Sequence, residues 1–382
     1  MKQKVLVLAE YYIPGIKGGG PIQSIKNLVN NLTDIDFNII TADRDMGDES
    51  AYKNIKEDVW TKVQKSNVYY TNINKLNFIK LAKIINEQEC DSVYLNSFFS
   101  YKLSILVVLL SKFKIIKPKQ LILAPRGEFS PGAFAIKQTK KKLFIYLAKT
   151  LRLYRNVTWH ATAKNEKKDI EDVFGASTKI VVASNLTEDY TSLSYDKNIE
   201  KKIGELKIVF ISRVHPKKNL KMAIELLKSL KGNVEFNIYG PIEDKEYWGE
   251  CVKLIRDMPR DKVVNYKGII EHTMIMEIFK SHHIFLFPTF GENFGHVISE
   301  ALIGGCPIIV SDQTPWKDLK RLKVGADLSL ENHIEFKSIL QEFINLNKYE
   351  YDSLSKNAFD YGKHTSNKKH EIDKTYNLFF KK

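Results

Sequence analysis

Glu292 and Glu300 stand eight positions apart in the densest run of chemistry-bearing residues, Pro288-Thr-Phe-Gly-Glu-Asn-Phe-Gly-His-Val-Ile-Ser-Glu-Ala-Leu-Ile-Gly-Gly305. A strand-like run, Ile284–Phe287, precedes the segment. Gly304-Gly305 reads as a helix C-cap, so the pattern predicts a strand, a glycine turn through Gly291 and Gly295, and a helix. The N-terminus of a helix carries unpaired N–H groups and positive partial charge, which suits Asn293, Phe294 and Gly295 to an anion such as a diphosphate. With the helix starting near Gly295, Glu300 lies about 7–8 Å along its axis, roughly the length of a diphosphate linkage. That spacing lets one carboxylate meet a sugar and the other a ribose. The same residues also fit a charged helix start with two unrelated glutamates. A second constellation, Phe210-Ile-Ser-Arg-Val-His-Pro-Lys-Lys-Asn-Leu220, runs a strand into Arg213 and opens a helix at Lys218-Asn219. Two cations beside one strand end can take up the charge of a diphosphate leaving group without a metal. Lys217 fits the same register as Lys218, and an ordinary basic loop would look alike.

Two segments of the N-terminal half carry weaker signals. Gly18, Gly19 and Gly20 follow the strand-like Val5–Ala9 and precede an amphipathic helix pattern at Ile22, Ile25, Leu28, Val29 and Leu32. Three glycines there suggest a loop whose backbone N–H groups face an anion, although the run is neither a P-loop nor a G-x-G-x-x-G fingerprint and a plain surface turn competes. Ala124-Pro-Arg-Gly-Glu-Phe-Ser-Pro-Gly-Ala133 also follows a strand-like run. Arg126 suits a phosphate or acceptor hydroxyls, and Glu128 would orient it or act as a base. The competing reading is a local Arg126–Glu128 ion pair of structural value. Asp34/Asp36 and Asp43/Asp45 have the D-x-D form of metal ligands but lie near an early strand, far from the phosphate-type motifs. His282-His283 lacks metal-ligand spacing, and His296 is expected to cap or line the site. No metal is expected.

The elements that must position these residues repeat along the chain. Strand-length apolar runs recur at Val5–Ala9, Phe37–Thr41, Val93–Asn96, Leu121–Ala124, Val157–Ala161 and Ile180–Ala183, with helix-period segments between several of them. After a polar stretch from Ser184 to Glu205 the alternation restarts at Ile208–Ser212, Val234–Tyr239, Val263–Tyr266, Ile284–Phe287 and Ile308–Ser311. The pattern predicts two α/β units with mostly parallel sheets, facing a cleft where ligands bind. The expected boundaries are residues 1–186, a linker at 187–205, and 206–363. The length, 382 residues, is enough for two cores.

Composition narrows the class. Hydrophobic residues at 43% and charged residues at 27% exclude a disordered chain. The longest apolar run, Leu103–Leu110 with Ser104 inside it, falls far short of the ~18–20 residues that span a bilayer. The apolar start Val5–Ala9 stops at Glu10, so no signal peptide and a cytoplasmic location are expected. Cys90, Cys251 and Cys306 are far apart, which argues against a disulfide framework or zinc site. Net charge is +14, and residues 100–164 hold fourteen Lys/Arg against one acid, Glu128. Such a zone implies an anionic partner (nucleic acid, a phosphate-bearing substrate or an anionic membrane) or a solvated basic face. Phe144, Leu147, Leu151 and Tyr154 fall at helical spacing within Phe134–Tyr154, with Lys141, Lys142, Lys149 and Arg152 largely elsewhere. Such a helix fits peripheral contact with anionic lipid or packing on its own sheet.

The run SHHIFLFPTFGENFGHVISEALIGGCPIIVSDQTPW resembles the E-x7-E motif and surroundings of retaining glycosyltransferases of family 4, including Thr314-Pro-Trp316, and Arg213 with Lys218-Asn219 is similar to the family's R-x4-K-N. The resemblance implies a GT-B fold of two Rossmann-like domains, with the last helix, about 364–382, returning to the N-terminal domain. It implies a nucleotide diphosphate sugar donor, UDP- or GDP-linked, with Arg213 and Lys218 clamping the diphosphate. Glu292 would then contact donor-sugar hydroxyls, and Glu300 the ribose. Gly18–Gly20 would approach the donor phosphates, and the Gly268-Ile269-Ile270 backbone would hold the base. The acceptor would be a glycan or lipid-linked glycan of cell-surface polysaccharide. One departure is Asn96, which stands where many members carry a histidine near the reacting sugar. Asn hydrogen-bonds a hydroxyl but carries no proton at neutral pH. Two rival readings are a nucleotide-sugar 2-epimerase of the same fold, for which a matching carboxylate set is missing, and a basic nucleic-acid-binding protein, for which aromatic–basic interleaving is missing.

Overall fold

Val5 to Leu8 are four consecutive buried residues, the mark of a parallel strand covered on both faces. In the computed structural model, which describes residues 2–130, 138–366 and 369–380, they lie in β1 (Gln3–Leu8) near the middle of an eight-stranded sheet. The chain divides into two compact units, Met1–Glu188 with Asn367–Lys382, and Asp189–Ser366.

The first unit adds β2 (Ile35–Ala42), β3 (Trp60–Val63), β4 (Ser66–Thr71), β5 (Ser92–Leu95), β6 (Gln120–Leu123), β7 (Val157–Ala161) and β8 (Ile180–Val182). The order is β3-β4-β2-β1-β5-β6-β7-β8, parallel throughout except for the β3–β4 hairpin at one edge. Helices α1 (Gly20–Asn31), α2 (Phe78–Glu87), α3 (Leu106–Lys112, preceded by a π-helical turn at Tyr101–Ile105), α4 (Gln138–Thr150) and α5 (Lys164–Phe174) connect the strands. Because β1 pairs with β2 on one side and β5 on the other, the chain reverses direction across the sheet between β1 and β5. Ligands of open α/β sheets bind outside the strand ends at such a point.

The second unit is a six-stranded, all-parallel sheet of order β11-β10-β9-β12-β13-β14. Its strands are β9 (Glu205–Ile211), β10 (Asn233–Tyr239), β11 (Lys262–Gly268), β12 (Ile284–Phe287), β13 (Ile308–Ser311) and β14 (Gly325–Leu328). Its helices are α6 (Leu220–Leu227), α7 (Lys245–Arg256), α8 (Ile275–Lys280), α9 (His296–Ile303), α10 (His333–Asn345) and α11 (Lys348–Thr365). The reversal lies between β9 and β12. A final helix, α12 (Lys369–Phe379), belongs to the first unit, where Phe379 packs edge-on against Phe37 and Tyr94.

The structure differs from the sequence expectation in several places. Strands β3, β4 and β14 were not foreseen: β14 is the short, half-polar Gly-Ala-Asp-Leu, and β3–β4 is an edge hairpin without a long apolar run. The expected linker is part of the second unit from Asp189 on. Lys197 Nζ donates to the carbonyls of Phe279, His282 and Gly305, and Lys201 Nζ to those of Lys202, Ile344 and Leu346. In α4 the buried face is Ile145 and Ala148, while Leu147 and Leu151, expected to share the packed stripe with Phe144 and Tyr154, are 48% and 60% exposed. The helix carries two apolar faces, and the outer one also shows Leu143 and Tyr146. Phe134 to Lys137, where that helix was expected to begin, and the end of the Ala124–Ala133 segment lie outside the described residues. No described helix is long and apolar enough to cross a membrane.

Candidate functional site

The reversal between β9 and β12 places two loops side by side at the C-terminal edge of the second sheet, and the backbone joins them. Phe290 N–H donates to the Lys217 carbonyl at 2.9 Å, and the Thr289 hydroxyl donates to the same carbonyl at 3.1 Å. The first loop leaves β9 through Arg213 and makes a 3-10 turn at Pro216–Lys218, ended by Asn219 in the left-handed region (φ 56). His215 Nδ1 accepts the Lys217 N–H at 3.1 Å. Burial lowers its pKa, so the ring is neutral and keeps that lone pair. The second loop carries Gly291, Glu292, Asn293, Phe294 and Gly295 into α9.

The side chains expected to do chemistry converge here. Lys218 Nζ forms an ion pair with Glu292, at 12% and 16% side-chain exposure, and also lies 5.6 Å from the centre of the Phe287 ring. Lys217 lies against the same loop, its Cε 4.0 Å from where a Cβ at Gly291 would stand. Arg213 pairs with Glu243 at 2.8 Å. Glu243 follows β10 and was missed from sequence. The available signal was an acid in the turn of the neighbouring strand, Tyr239-Gly-Pro-Ile-Glu243, but only strand order says that β10 lies beside β9. Asp244, next to it, caps α7 by accepting the Tyr247 N–H. Gly240 brings this turn against the first loop, for at φ +132 an added Cβ would lie 2.0 Å from the Ser212 carbonyl oxygen.

Gly295 caps α9 in the left-handed conformation (φ 74), as the turn requires. Glu300 sits in the second turn of α9, 8% exposed, with His272 Nε2 2.9 Å from its Oε1. His272, a second residue missed from sequence, follows β11 by four positions. Ile270, on the same connection, packs at the edge of the core, as does Phe294. The Trp316 indole N–H donates to the Phe294 carbonyl at 2.7 Å, so the Thr-Pro-Trp turn fixes the loop before α9. His296 is buried and its ring stacks at a tilt on Phe294. His282 and His283 are interior: His283 Nδ1 accepts the Lys207 N–H, and His282 Nε2 meets Asn237.

In the first unit, Gly18, Gly19 and Gly20 form the turn into α1. Asp45 accepts the N–H groups of Ile16 and Lys17, and Gly19 donates to the Ile16 carbonyl. Those three amides are therefore occupied within the protein. Asp45 is thereby a loop clamp, and Asp43 holds Arg44 at 2.8 Å. No cluster of metal-ligating residues occurs among the described residues. Asn96, Arg126 and Asn185 meet beyond β5, β6 and β8: Arg126 Nε donates to Asn96 Oδ1 at 2.7 Å and Nη1 to Asn185 Oδ1. Glu128 neither orients nor pairs with Arg126. Its carboxylate accepts the Ser97 hydroxyl and the N–H groups of Phe98 and Phe99, and burial raises its pKa. The turn at Arg126-Gly127, both at positive φ, sends the two side chains to different partners.

Residues 194–359 match the family described as Glycosyl transferases group 1. An uncharacterized 41.2 kDa protein in the cps region of Klebsiella pneumoniae is 24% identical over 314 residues, 78% of each chain. Among solved structures, Anabaena Alr3699/HepE in complex with UDP-glucose is similar with a TM-score of 0.71 at 15% identity, over 98% of this chain and 99% of that one. WaaG, a glycosyltransferase involved in lipopolysaccharide biosynthesis, is similar at 0.67 and 13% identity, over 99% and 100%. The fold is GT-B, two α/β domains on parallel sheets.

Proposed function

We propose that this chain is a retaining, metal-independent glycosyltransferase. It moves a sugar from a nucleotide diphosphate sugar, UDP- or GDP-linked, to a glycan or lipid-linked acceptor in cell-surface polysaccharide synthesis. The observation that carries this reading is the convergence of Arg213, Lys218 and Glu292 at the reversal point of the second sheet. Two cations whose positions are set by fixed loops and ion pairs stabilise the charge that develops on a departing diphosphate. Glu292 then meets hydroxyls of the donor sugar, and Glu300 meets the ribose. The matched family region covers both loops, and the likeness to a UDP-glucose-bound structure supports a nucleotide-sugar donor. The cps-region relative supports polysaccharide synthesis.

The test is thermal unfolding with UDP, GDP, CMP and ADP, beside Arg213→Ala. A ligand at about 100 times its Kd stabilises by ~2.7 kcal/mol, a shift of several degrees. A single nucleotide that shifts the wild type and not the variant fixes the donor class. No shift with any of the four removes the reading.

The same proposal places the first unit at the cytoplasmic face of an anionic membrane. The outer stripe of α4, Leu143, Tyr146, Leu147 and, just beyond the helix, Leu151, is flanked by Lys140, Lys142, Lys149 and Arg152. Each basic residue near anionic lipid adds on the order of 1 kcal/mol. Equal flotation with neutral and anionic vesicles would remove this part.

A further inference from the structure

Among the described residues, Arg126 is a cation whose hydrogen-bond partners are all uncharged side chains. It follows β6 at φ +54, a backbone region that a non-glycine residue keeps only where its surroundings fix it. Besides its bonds to Asn96 and Asn185, its Nη2 donates to the Tyr94 hydroxyl at 2.8 Å. That hydroxyl lies 2.8 Å from His160 Nδ1, and His160 Nε2 lies 2.8 Å from the Ala183 carbonyl. A carbonyl only accepts, so Nε2 carries the proton. The Tyr94 O–H then donates to the bare Nδ1, and its lone pair accepts from Arg126. Burial, reinforced by Arg126 itself, pushes the His160 pKa down to about 3, so the ring is neutral. Every acceptor around the guanidinium is therefore uncharged.

The two nearby carboxylates are used elsewhere. Glu128 holds Ser97, Phe98 and Phe99. Glu166 takes the N–H groups of Gly127 and Thr162 and the Thr162 hydroxyl, which fixes the turn that carries Arg126. No described carboxylate forms a salt bridge with Arg126. Among the described residues, three of the five guanidinium N–H groups are engaged and two are not. A partly desolvated cation held rigidly by neutral oxygens is costly until a counter-charge arrives, and a planar fork with N–H groups to spare matches the paired oxygens of a phosphate or carboxylate. Its place at the C-terminal edge of a parallel sheet is where ligands of such sheets sit.

We propose that Arg126 reads an oxyanion on the acceptor, so the acceptor carries a phosphate or an acidic-sugar carboxylate. This rests on the glycosyltransferase reading and adds the chemical class of its second substrate. The experiment uses the full chain carrying Arg213→Ala, so that the donor clamp does not take up the probe. Thermal unfolding is followed with methyl phosphate, methyl glucuronide and neutral methyl glucoside, with and without Arg126→Gln. The expected result is a rise in Tm with one oxyanion, lost in R126Q, and no rise with the glucoside. A response to methyl phosphate assigns a phosphate-bearing acceptor, and a response to the glucuronide an acidic sugar. Shifts that persist in R126Q, or no shift with either oxyanion, overturn the proposal. A merely structural Arg126 would lower Tm without changing the oxyanion response. If R126Q does not fold, Arg126→Lys keeps the charge and loses the fork, and its oxyanion affinity is expected to fall about tenfold; equal affinity overturns the proposal. A UDP-induced shift in the wild type, measured separately, shows whether the donor reading has failed instead.

Discussion

Lys218 and Glu292, from the loops after β9 and β12, form an ion pair with 12% and 16% of their side chains exposed. Each charge is partly removed from water and depends on the other for compensation. Removing one partner of such a pair leaves a buried charge, at about 3–5 kcal/mol for a fully buried pair and less here. Lys218→Met and Glu292→Gln should each cost about 2–3 kcal/mol in urea unfolding, and the double variant less than the sum. Strict additivity would mean that the two groups do not interact in solution.

Gly240 is the residue on which the Arg213 loop rests. A methyl group there would lie 2.0 Å from the Ser212 carbonyl at a φ of +132, so both the close approach and the backbone conformation oppose Gly240→Ala. Its expected cost is about 3 kcal/mol or more, with Arg213 displaced from its partner Glu243. Unchanged unfolding would show that the β10 turn can move away from Ser212 freely.

Local pattern and spatial partnership were unequally legible in the sequence. Arg213, Lys218, Glu292 and the Gly295 turn follow from strand, turn and helix signals within about twenty residues, and the structure holds them as those signals require. Glu243 and His272 did not, because strand order brings them to Arg213 and Glu300. Arg126 and Glu128, two positions apart, looked like a pair. The positive-φ turn between them points one at Asn96 and the other at the Ser97–Phe99 backbone. In α4 the 3.6-residue period reported an apolar face correctly in kind. With two apolar stripes on one helix, periodicity alone did not say which is buried.

Three buried histidines set a pH dependence. Burial lowers His160 and His283 to about 3 and His282 to about 4, against 6.5 unfolded. Below pH 6.5 the unfolded chain therefore binds protons on these three that the folded chain does not, His215, also lowered by burial, adds in the same sense, and stability falls as the pH falls. Asp169, raised to about 6 by burial beside Glu166 and Asp172, and Glu128, raised by burial, act in the opposite direction. The balance is one to two protons, or about 1–3 kcal/mol per pH unit lost from pH ~6.5 towards ~4.5. His160→Gln keeps neutral donor and acceptor groups and should flatten the slope by ~1.4 kcal/mol per pH unit. An unaltered slope would place the titration elsewhere.

Trp316 tests whether the loop before α9 must be fixed for the nucleotide. Its indole N–H supports the Phe294 carbonyl, one residue before the Gly295 cap, and its ring is 8% exposed against Phe294 and Tyr361. Trp316→Phe keeps an aromatic ring and leaves that carbonyl without its donor, at about 1–3 kcal/mol. The loss of stability alone says little, since any buried donor would show it. The informative quantity is the nucleotide-induced shift in Tm. If Asn293 to Gly295 receive a diphosphate, loosening the loop should reduce this shift in W316F beyond what lowered stability explains, while Trp248→Phe, on α7, lowers Tm and leaves the shift intact. Equal shifts in both variants would remove the α9 loop from the proposed nucleotide site.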